Sequence, residues 1–440
     1  LNITGNLVNN GQIIFKSDAT GSGMFDQFTG TITGNGTVQV ERYIPANKRS
    51  FRFLSPSVTT TTSIYENWQE NGSSTAGLGT HITGLNGAAN GFDVTTTNNP
   101  SMFGFDHSTG QWAAVTNTNS TELTAGTPYR LMVRGDRTIS LATNTPTPTN
   151  TTLRATGNLF TGNFTPTLNQ AADGYSFIGN PYQAPVDLEA VLTGSTNMNT
   201  DVVYYWDPTL NTRGGYVTRT ISDNTNSVNS DFTEVLQPGQ AVFVKKVNTV
   251  NAATLTLMES HKVVGQGTAG VFRASTNTNL GLLRVNLQAN VNNQWETIEG
   301  AVALFHDTYS WNATAEDAIK FGNLDEEVSF MQNNTAIAIA KQTNPSATNE
   351  LPIRLRNTRY NNYQWKFEVA NYNGLSPYLF DTVNNTYTQI ANHTVVPFTV
   401  NGQEQTRFKI VFQTSVLSTP DFTNEIAVYP NPSKGSTGFY

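Results

Sequence analysis

Residues 363–369 read YQWKFEV, with an aromatic or β-branched residue at every odd position and a polar residue at every even one. Because successive side chains of a β-strand point to opposite faces, this alternation predicts a strand with one buried face and one solvated face. Similar alternation occurs at residues 283–287, 351–355 and 408–412. Repeated runs of this kind predict an antiparallel β-sandwich over residues 263–414.

The rest of the chain also has the pattern of β-structure. Helical periodicity is nearly absent, whereas short β-branched or aromatic runs are separated by clusters of Gly, Asn, Asp and Pro. The predicted fold class is therefore all-β, with tandem β-sandwich-like modules. Residues 1–42 place short apolar runs between Gly-Asn and Asn-Gly turns, which resembles the end or cap of a β-solenoid.

Two segments in the middle of the chain share a series of landmarks. The run FRFLSP at residues 51–56 corresponds to SFIGNP at residues 176–181, and three further pairs of short runs follow in the same order. The spacing between the pairs changes only in Gly-, Thr- and Asn-rich stretches, where loops tolerate insertions. We therefore predict one β-module used twice, as residues 43–150 and 151–262.

Composition excludes several classes of function. Only 13% of the 440 residues are charged, the formal net charge is -7, and the Lys and Arg residues are scattered, so no basic face is available for nucleic acid. The absence of cysteine excludes disulfides and thiolate metal sites. No run approaches the ~18 uninterrupted apolar residues that a membrane helix needs, so no transmembrane segment is predicted.

The carboxyl-terminal residues carry the most specific motif. After a polar linker at residues 415–424, residues 425–440 begin with an apolar run and then a pair of prolines that allow one strand followed by a turn. The motif consists of Val428, Tyr429, Pro430, Asn431, Pro432, Ser433, Lys434 and Gly435. It resembles the first strand and turn of the type A C-terminal sorting domain, an Ig-like β-sandwich found in type IX secretion system substrates of Bacteroidota.

This resemblance implies export across the outer membrane and an extracellular location at the cell surface. The implied partners are the type IX translocon and a PorV-like outer-membrane barrel that shuttles substrates. Only the start of a sorting domain is expected within residues 425–440. Asp381-Thr382-Val383 resembles the short O-glycosylation signal of exported Bacteroidota proteins, which makes Thr382 the predicted acceptor.

No arrangement of residues predicts catalysis. The five histidines are far apart and none follows the His-Glu-x-x-His pattern, and no nucleophile elbow or phosphate-binding loop is present. The acidic residues 325–327 are adjacent and are interpreted as a solvated turn. Asp223 and Asp231 offer oxygen ligands that suit calcium, but their spacing lacks the EF-hand glycine and terminal Glu, so a polar hairpin loop is the favoured interpretation and calcium the alternative. No metal site and no cofactor is predicted.

Two surface features have both a functional and a structural interpretation. Arg134-Gly135-Asp136 has the composition of an adhesion tripeptide, but its position between two apolar runs favours a hairpin turn. Flat aromatic rings can stack on sugars, although alternation places most of them in strands as core residues. The aromatic residues in question are Trp68, Trp112, Tyr204, Tyr205, Trp206, Trp295 and Trp311.

These observations lead to two hypotheses about function. The first is a non-enzymatic adhesin or stalk protein, exported by the type IX system, displayed at the cell surface and linked to gliding motility or attachment. The alternative is an accessory, glycan-binding part of a larger secreted hydrolase whose catalytic domain lies upstream of Leu1. Binding of surface glycans would fit either hypothesis.

Overall fold

The computed structural model describes residues 1–263, 280–400 and 404–414, and their regular secondary structure is almost entirely β-strand, which confirms the all-β prediction. The described α-helix is α1 (Leu188–Thr193), whose N-cap Asp187 accepts hydrogen bonds from the backbone N–H groups of Glu189 and Ala190. Short 3₁₀ turns span Glu70–Gly72, Gly87–Asn90 and Glu259–His261. No helix in these ranges has the length and apolar character needed to cross a membrane.

The amino-terminal strands include two parallel pairs that stack as coils. They are β1 (Leu7–Val8), β2 (Gln12–Phe15), β3 (Ser17–Asp18), β4 (Gly21–Ser22), β5 (Ile32–Thr33) and β6 (Thr37–Ile44). Leu7 lies opposite Ile32 and Gln12 opposite Thr37, each 25 residues further along the chain, in the parallel pairs β1–β5 and β2–β6. The buried Asn9 donates to the Thr37 carbonyl at 3.1 Å. Parallel pairing with one constant shift is the geometry of a solenoid.

The coils continue directly into the first module. Its strands are β7 (Ser50–Leu54), β8 (Val58–Thr60), β9 (Met102–Asp106), β10 (Gln111–Ala114), β11 (Tyr129–Val133) and β12 (Thr151–Leu159). Strand β12 pairs antiparallel with both β6 and β8. This sheet therefore crosses the boundaries predicted after residues 42 and 150. Residues 1–159 share one apolar core, and we call them the first unit.

The second unit, residues 160–263, repeats the topology of the first module. Its strands are β13 (Tyr175–Gly179), β14 (Val186–Asp187), β15 (Met198–Asp207), β16 (Gly215–Thr220), β17 (Thr225–Asn226), β18 (Val235–Leu236) and β19 (Ala241–Lys246). The order β7-β11-β9-β10 in one sheet matches β13-β19-β15-β16 in the other. In each sheet the strands follow the order first, fourth, second, third along the chain. The shared strand order supports duplication of one module.

The third unit, residues 280–414, is one continuous sheet of eleven strands. They are β20 (Gly281–Val291), β21 (Gln294–Phe305), β22 (Ala318–Ile319), β23 (Glu327–Gln332), β24 (Thr335–Gln342), β25 (Glu350–Arg356), β26 (Asn362–Ala370), β27 (Ser376–Asp381), β28 (Thr386–Gln389), β29 (Val395–Thr399) and β30 (Glu404–Gln413). The two end strands, β28 and β29, follow each other in the chain, so the sheet curls around its own core. The sequence predicted separate antiparallel sheets, whereas β21 and β24 form a parallel pair within this one.

In the third unit, the aromatic residues of the alternating pattern at residues 363–369 face the core. Tyr363, Trp365 and Phe367 are fully buried, while the polar residues between them are partly exposed. Trp365 stacks on Phe398 with ring centroids 5.1 Å apart and meets Phe408 edge-on. Burial of three large rings at ~1.5–3 kcal/mol each makes this strand a main contributor to the stability of the unit.

The three units meet in a further apolar cluster, which we call the central aromatic core. It contains Phe51, Phe53 and Met132 from the first unit, Phe177, Val202, Tyr204, Trp206, Tyr216, Ala241 and Phe243 from the second, and Leu280, Val302, Leu304, Ala318 and Ile339 from the third. Phe321 of the third unit packs against it, with its ring 5.1 Å from that of Phe243. A core shared in this way holds the units in one arrangement.

Candidate functional site between the first and second units

The turn that follows β13 fixes the junction between the repeated modules. The side chain of Asn180 is fully buried and donates to the carbonyls of Ala184 at 2.8 Å and Leu236 at 3.1 Å. The backbone carbonyl of Asn180 accepts a hydrogen bond from the Ser55 hydroxyl at 3.2 Å. Leaving the buried Asn180 amide without these partners would cost free energy. The hydrogen bonds therefore favour a single conformation of the turn. The sequence landmark SFIGNP therefore also marks an inter-unit contact.

A groove of about 590 Å³ opens beside this junction, and we call it the intermodule groove. It is lined by Gly104, Phe105, Asp106, His107, Ser108, Thr124, Ala125, Gly126, Thr127, Pro128, Phe164, Thr165, Pro166, Thr167 and Phe177. Gly126 has a φ of +78°, and a Cβ added there would lie 2.3 Å from the Phe164 ring. Only glycine fits this wall without displacing the ring.

His107 attaches the groove to the exposed edge of β13. Its Nε2 lies 3.2 Å from the backbone nitrogen of Phe177 and 3.1 Å from the carbonyl oxygen of the same residue. Burial lowers the pKa of His107, so the imidazole is neutral at neutral pH. The ring covers backbone groups that would otherwise be free to pair with another chain.

The neighbouring Asp106 is held as part of a turn. The hydroxyl and the backbone N–H of Ser108 both donate to its carboxylate, at 2.6 and 2.8 Å, and these bonds lower the pKa of Asp106 to about 2. General acid–base catalysis at neutral pH needs groups whose pKa values lie near 7. Asp106 does not meet this requirement, because its pKa is lowered to about 2. The groove instead offers flat rings and hydroxyl groups, which suit a carbohydrate.

The structure buries most of the aromatic residues considered for sugar stacking. Tyr204, Tyr205 and Trp206 are fully or almost fully buried, as is Trp68. Of the seven residues, Trp295 is the one classed as exposed, at 40% of its surface. Their alternation in strands therefore reflects core packing, and a platform made of these rings is not present. The rings that border the intermodule groove, Phe105, Phe164 and Phe177, lie outside that set.

The interpretation of residues 325–327 as a solvated turn is wrong. All three side chains are buried, and each pairs with an arginine: Asp325 with Arg213, Glu326 with Arg359 at 2.8 Å, and Glu327 with Arg354 at 2.8 Å. The triplet packs against the second unit, which supplies Arg213, so it is removed from water. Buried carboxylates persist only when they are paired, and the arginines that pair with them are distant in the sequence.

The calcium candidates have separate surroundings. Asp223 forms an ion pair with Lys341 at 2.6 Å and accepts a hydrogen bond from the Tyr309 hydroxyl at 3.0 Å. Asp231 lies exposed in the loop before β18. Within residues 1–263, 280–400 and 404–414, no three or more His, Asp or Glu side chains are grouped so as to hold a metal. Asp223 and Asp231 therefore stay untested candidates for calcium, beside the favoured interpretation of a polar loop.

The Arg-Gly-Asp tripeptide is buried. Arg134 and Asp136 expose 9% and 4% of their surface, and Asp136 accepts hydrogen bonds from the backbone of Gly77 and Thr138. The expected hairpin is also incorrect, because residues 138–141 form no strand. The carboxylate of Asp136 instead organises a loop, and it is not available to a receptor.

Thr382 lies at an exposed hairpin tip between β27 and β28. Its hydroxyl donates to the Arg407 carbonyl at 2.8 Å, and the preceding Asp381 forms an ion pair with the Arg407 guanidinium.

The sorting-motif residues Val428 to Gly435 lie outside the described residues. No protein-family model, curated protein or solved structure matches this chain. Function is therefore inferred from residues and geometry.

Proposed function

We propose that this chain is the surface-exposed part of a protein exported by the type IX secretion system, where it serves as a non-enzymatic adhesin or stalk. The resemblance of residues 428–435 to a sorting motif supports the route of export. The central aromatic core is the observation that carries the stalk role. A stalk has to hold its modules in a fixed arrangement, and an apolar core common to all three units provides this.

Contacts between aromatic rings are the first kind of interaction that holds the three units together. Phe53 of the first unit lies 4.7 Å from Phe177 and 5.8 Å from Phe243 of the second, measured between ring centroids. Phe321 of the third unit packs 4.5 Å from Tyr216. Such aromatic pairs add about 0.5–1.5 kcal/mol each beyond their area of burial, so separating the units would cost several kcal/mol.

Ion pairs add a second layer between the second and third units. Lys341 bridges Asp201 at 3.0 Å and Asp223 at 2.6 Å. The Arg213 guanidinium of the second unit pairs with Asp325 of the third. Lys341, Asp223 and Asp325 are buried, whereas Arg213 and Asp201 are partly exposed. Salt therefore screens the Lys341–Asp223 pair least, and the ion pairs together favour one orientation of the units.

Export is tested with a fluorescent reporter that carries residues from Ser415 to the natural carboxyl terminus of the protein. We expect the reporter to reach the surface of cells with a working type IX translocon and to stay inside translocon-deficient cells. A matched reporter with Pro430→Ala and Pro432→Ala, which removes both turn-forming prolines, should be displayed poorly. Equal surface delivery in translocon-deficient cells would show that the assignment is wrong.

A second candidate function is glycan binding in the intermodule groove, which the adhesin and the accessory-module hypotheses share. The groove combines the rings of Phe105 and Phe164 with threonine hydroxyls. We expect the chain to bind on a glycan array, and Phe164→Ala to weaken binding about fivefold to tenfold through loss of ring contacts. Val250→Ala, at a residue 96% exposed, is the control that should leave binding unchanged.

The glycan array is run with and without a chelator to distinguish binding in the intermodule groove from calcium-dependent binding at Asp223 and Asp231. Binding that survives the chelator and depends on Phe164 supports the groove. Binding abolished by the chelator would instead point to Asp223 and Asp231. The absence of binding under both conditions would reject a glycan-binding role and leave the stalk role intact.

A further inference from the structure

Two arginines face each other at one end of the first module sheet. In the antiparallel pair β7–β11, Ser50 lies opposite Val133, and the next residue on each chain is Arg49 and Arg134 respectively. Like charges opposite each other on neighbouring strands are destabilising. This arrangement therefore requires a compensating negative group.

Neither side chain forms an ion pair with a carboxylate of the described residues, and Asp93, which acts on Arg134 from a distance, is already paired with Arg137. Arg134 exposes only 9% of its surface, and Arg49 is partly buried. Buried nitrogens of both guanidinium groups, Nη1 of Arg134 and Nε of Arg49, lack a hydrogen-bond partner among the described residues. Buried cations without partners carry a large desolvation cost, which proteins normally avoid.

Two neighbouring arginines of the first unit have a partner for their positive charge, although Nε of Arg130 also lacks a hydrogen bond. Arg137 donates to both carboxylate oxygens of Asp93, each at 2.8 Å. The guanidinium of Arg130 lies over three aromatic rings, the closest being Trp112 at 4.1 Å. Arg49 and Arg134 have neither a carboxylate nor a ring in this role within the described part of the chain.

The local charge is positive around the pair. Burial lowers the pKa of Arg134 to about 10, the positive charge of Arg49 contributes to the same shift, and the negative charge of Asp93 opposes it. Burial also lowers the pKa of Arg49, with a contribution from Arg213. Both guanidinium groups remain cationic at neutral pH, so an anion would be attracted to the pair.

We propose that Arg49 and Arg134 form a binding site for an oxyanion, namely a sulfate, phosphate or carboxylate group. Guanidinium groups present several N–H donors in a planar fork that matches the oxygens of such groups. The partly exposed Arg49 gives the anion a route from solvent, and the buried Arg134 gives it a low-dielectric contact. This site is separate from the intermodule groove and from the sorting motif, so it adds a ligand to the proposed function.

The test is a thermal unfolding titration of the full chain in which chloride is replaced by sulfate, phosphate or acetate at constant ionic strength. We expect a saturable rise in Tm with at least one oxyanion, and the three anions identify the preferred group. Arg134→Gln and Arg49→Gln should each weaken this binding at least about tenfold, since each removes charge-assisted hydrogen bonds. Arg356→Gln is the control, because this arginine is exposed, and it should leave the binding unchanged.

Two outcomes would overturn the site. A rise in Tm that never saturates would be a general effect of the salt. A saturable rise that persists unchanged in Arg134→Gln and Arg49→Gln would reveal an adventitious ion only. If the buried Arg134→Gln variant fails to fold, the partly exposed Arg49→Gln variant decides the question alone.

Discussion

Replacing Phe243 by alanine is expected to lower the free energy of unfolding by about 3–5 kcal/mol. The side chain is fully buried in the central aromatic core, with its ring stacked 4.7 Å from Phe177. It also lies 5.8 Å from Phe53 and 5.1 Å from Phe321, so it contacts rings from all three units. Alanine would leave a cavity where the units meet. Chemical denaturation followed by tryptophan fluorescence measures the loss.

The matched control for Phe243→Ala is Val250→Ala. Val250 is 96% exposed, so its truncation should change stability by no more than about 0.5 kcal/mol. Limited proteolysis of both variants adds a second readout. Only Phe243→Ala should be cleaved between the units faster than the unmodified chain. If Phe243→Ala is as stable as the control, the units are not held together by this core.

Replacing Lys320 by methionine is expected to cost about 3–5 kcal/mol, because it leaves Glu299 buried without its counter-charge. The Lys320 ammonium lies 2.7 Å from the Glu299 carboxylate, and the two side chains expose 1% and 0% of their surface. Asn323 also donates to this carboxylate and accepts a hydrogen bond from the backbone of Tyr216 in the second unit. The pair therefore supports a contact between units.

The double variant Lys320→Met with Glu299→Gln is the control for this loss. It leaves no buried charge at these two positions, so most of the stability should return. Burial raises the pKa of Glu299 above its ordinary value of 4.5, although Lys320 opposes the shift. A raised pKa means that the protonated form is favoured in the folded state, so the penalty in Lys320→Met is largest at neutral pH. It should shrink as the pH falls towards 4.5.

The measurement compares the free energies of unfolding of the single and double Lys320 variants between neutral and mildly acidic pH. Acid affects many other carboxylates in both proteins equally, so the difference between the two variants isolates Glu299. A difference that stays constant with pH would mean that Glu299 is not the group left unpaired. A single variant as stable as the unmodified chain would mean that the ion pair has no structural role.

Much of the local structure was accessible from sequence because it depends on neighbouring residues. The alternation at residues 363–369 predicts β26 and its buried rings, and the landmark at residues 176–181 predicts β13 and the repeat. Both patterns arise from the two-residue period of a strand and from turn residues with fixed conformations. Such patterns can be recognised in the sequence without knowing which strand pairs with which.

The contacts between distant segments were not accessible in the same way. Strand β12 pairs with β6 across more than a hundred intervening residues, and no local pattern encodes that register. The acidic run at residues 325–327 resembles a solvated turn, since its arginine partners come from other elements. The surroundings of Arg49 and Arg134 could not be predicted from the sequence either, because they depend on which groups the fold places around the two side chains. Burial of charge is a property of the tertiary fold.

Surface labelling of intact cells tests the central claim most directly. An antibody against the exposed loop around Val250 is applied to cells that produce the natural full-length protein, with and without a functional type IX translocon. Export and display predict strong labelling of intact translocon-competent cells and none of intact deficient cells, which should label only after lysis. Equal labelling of both intact strains, or labelling of neither before lysis, would contradict the proposed surface location.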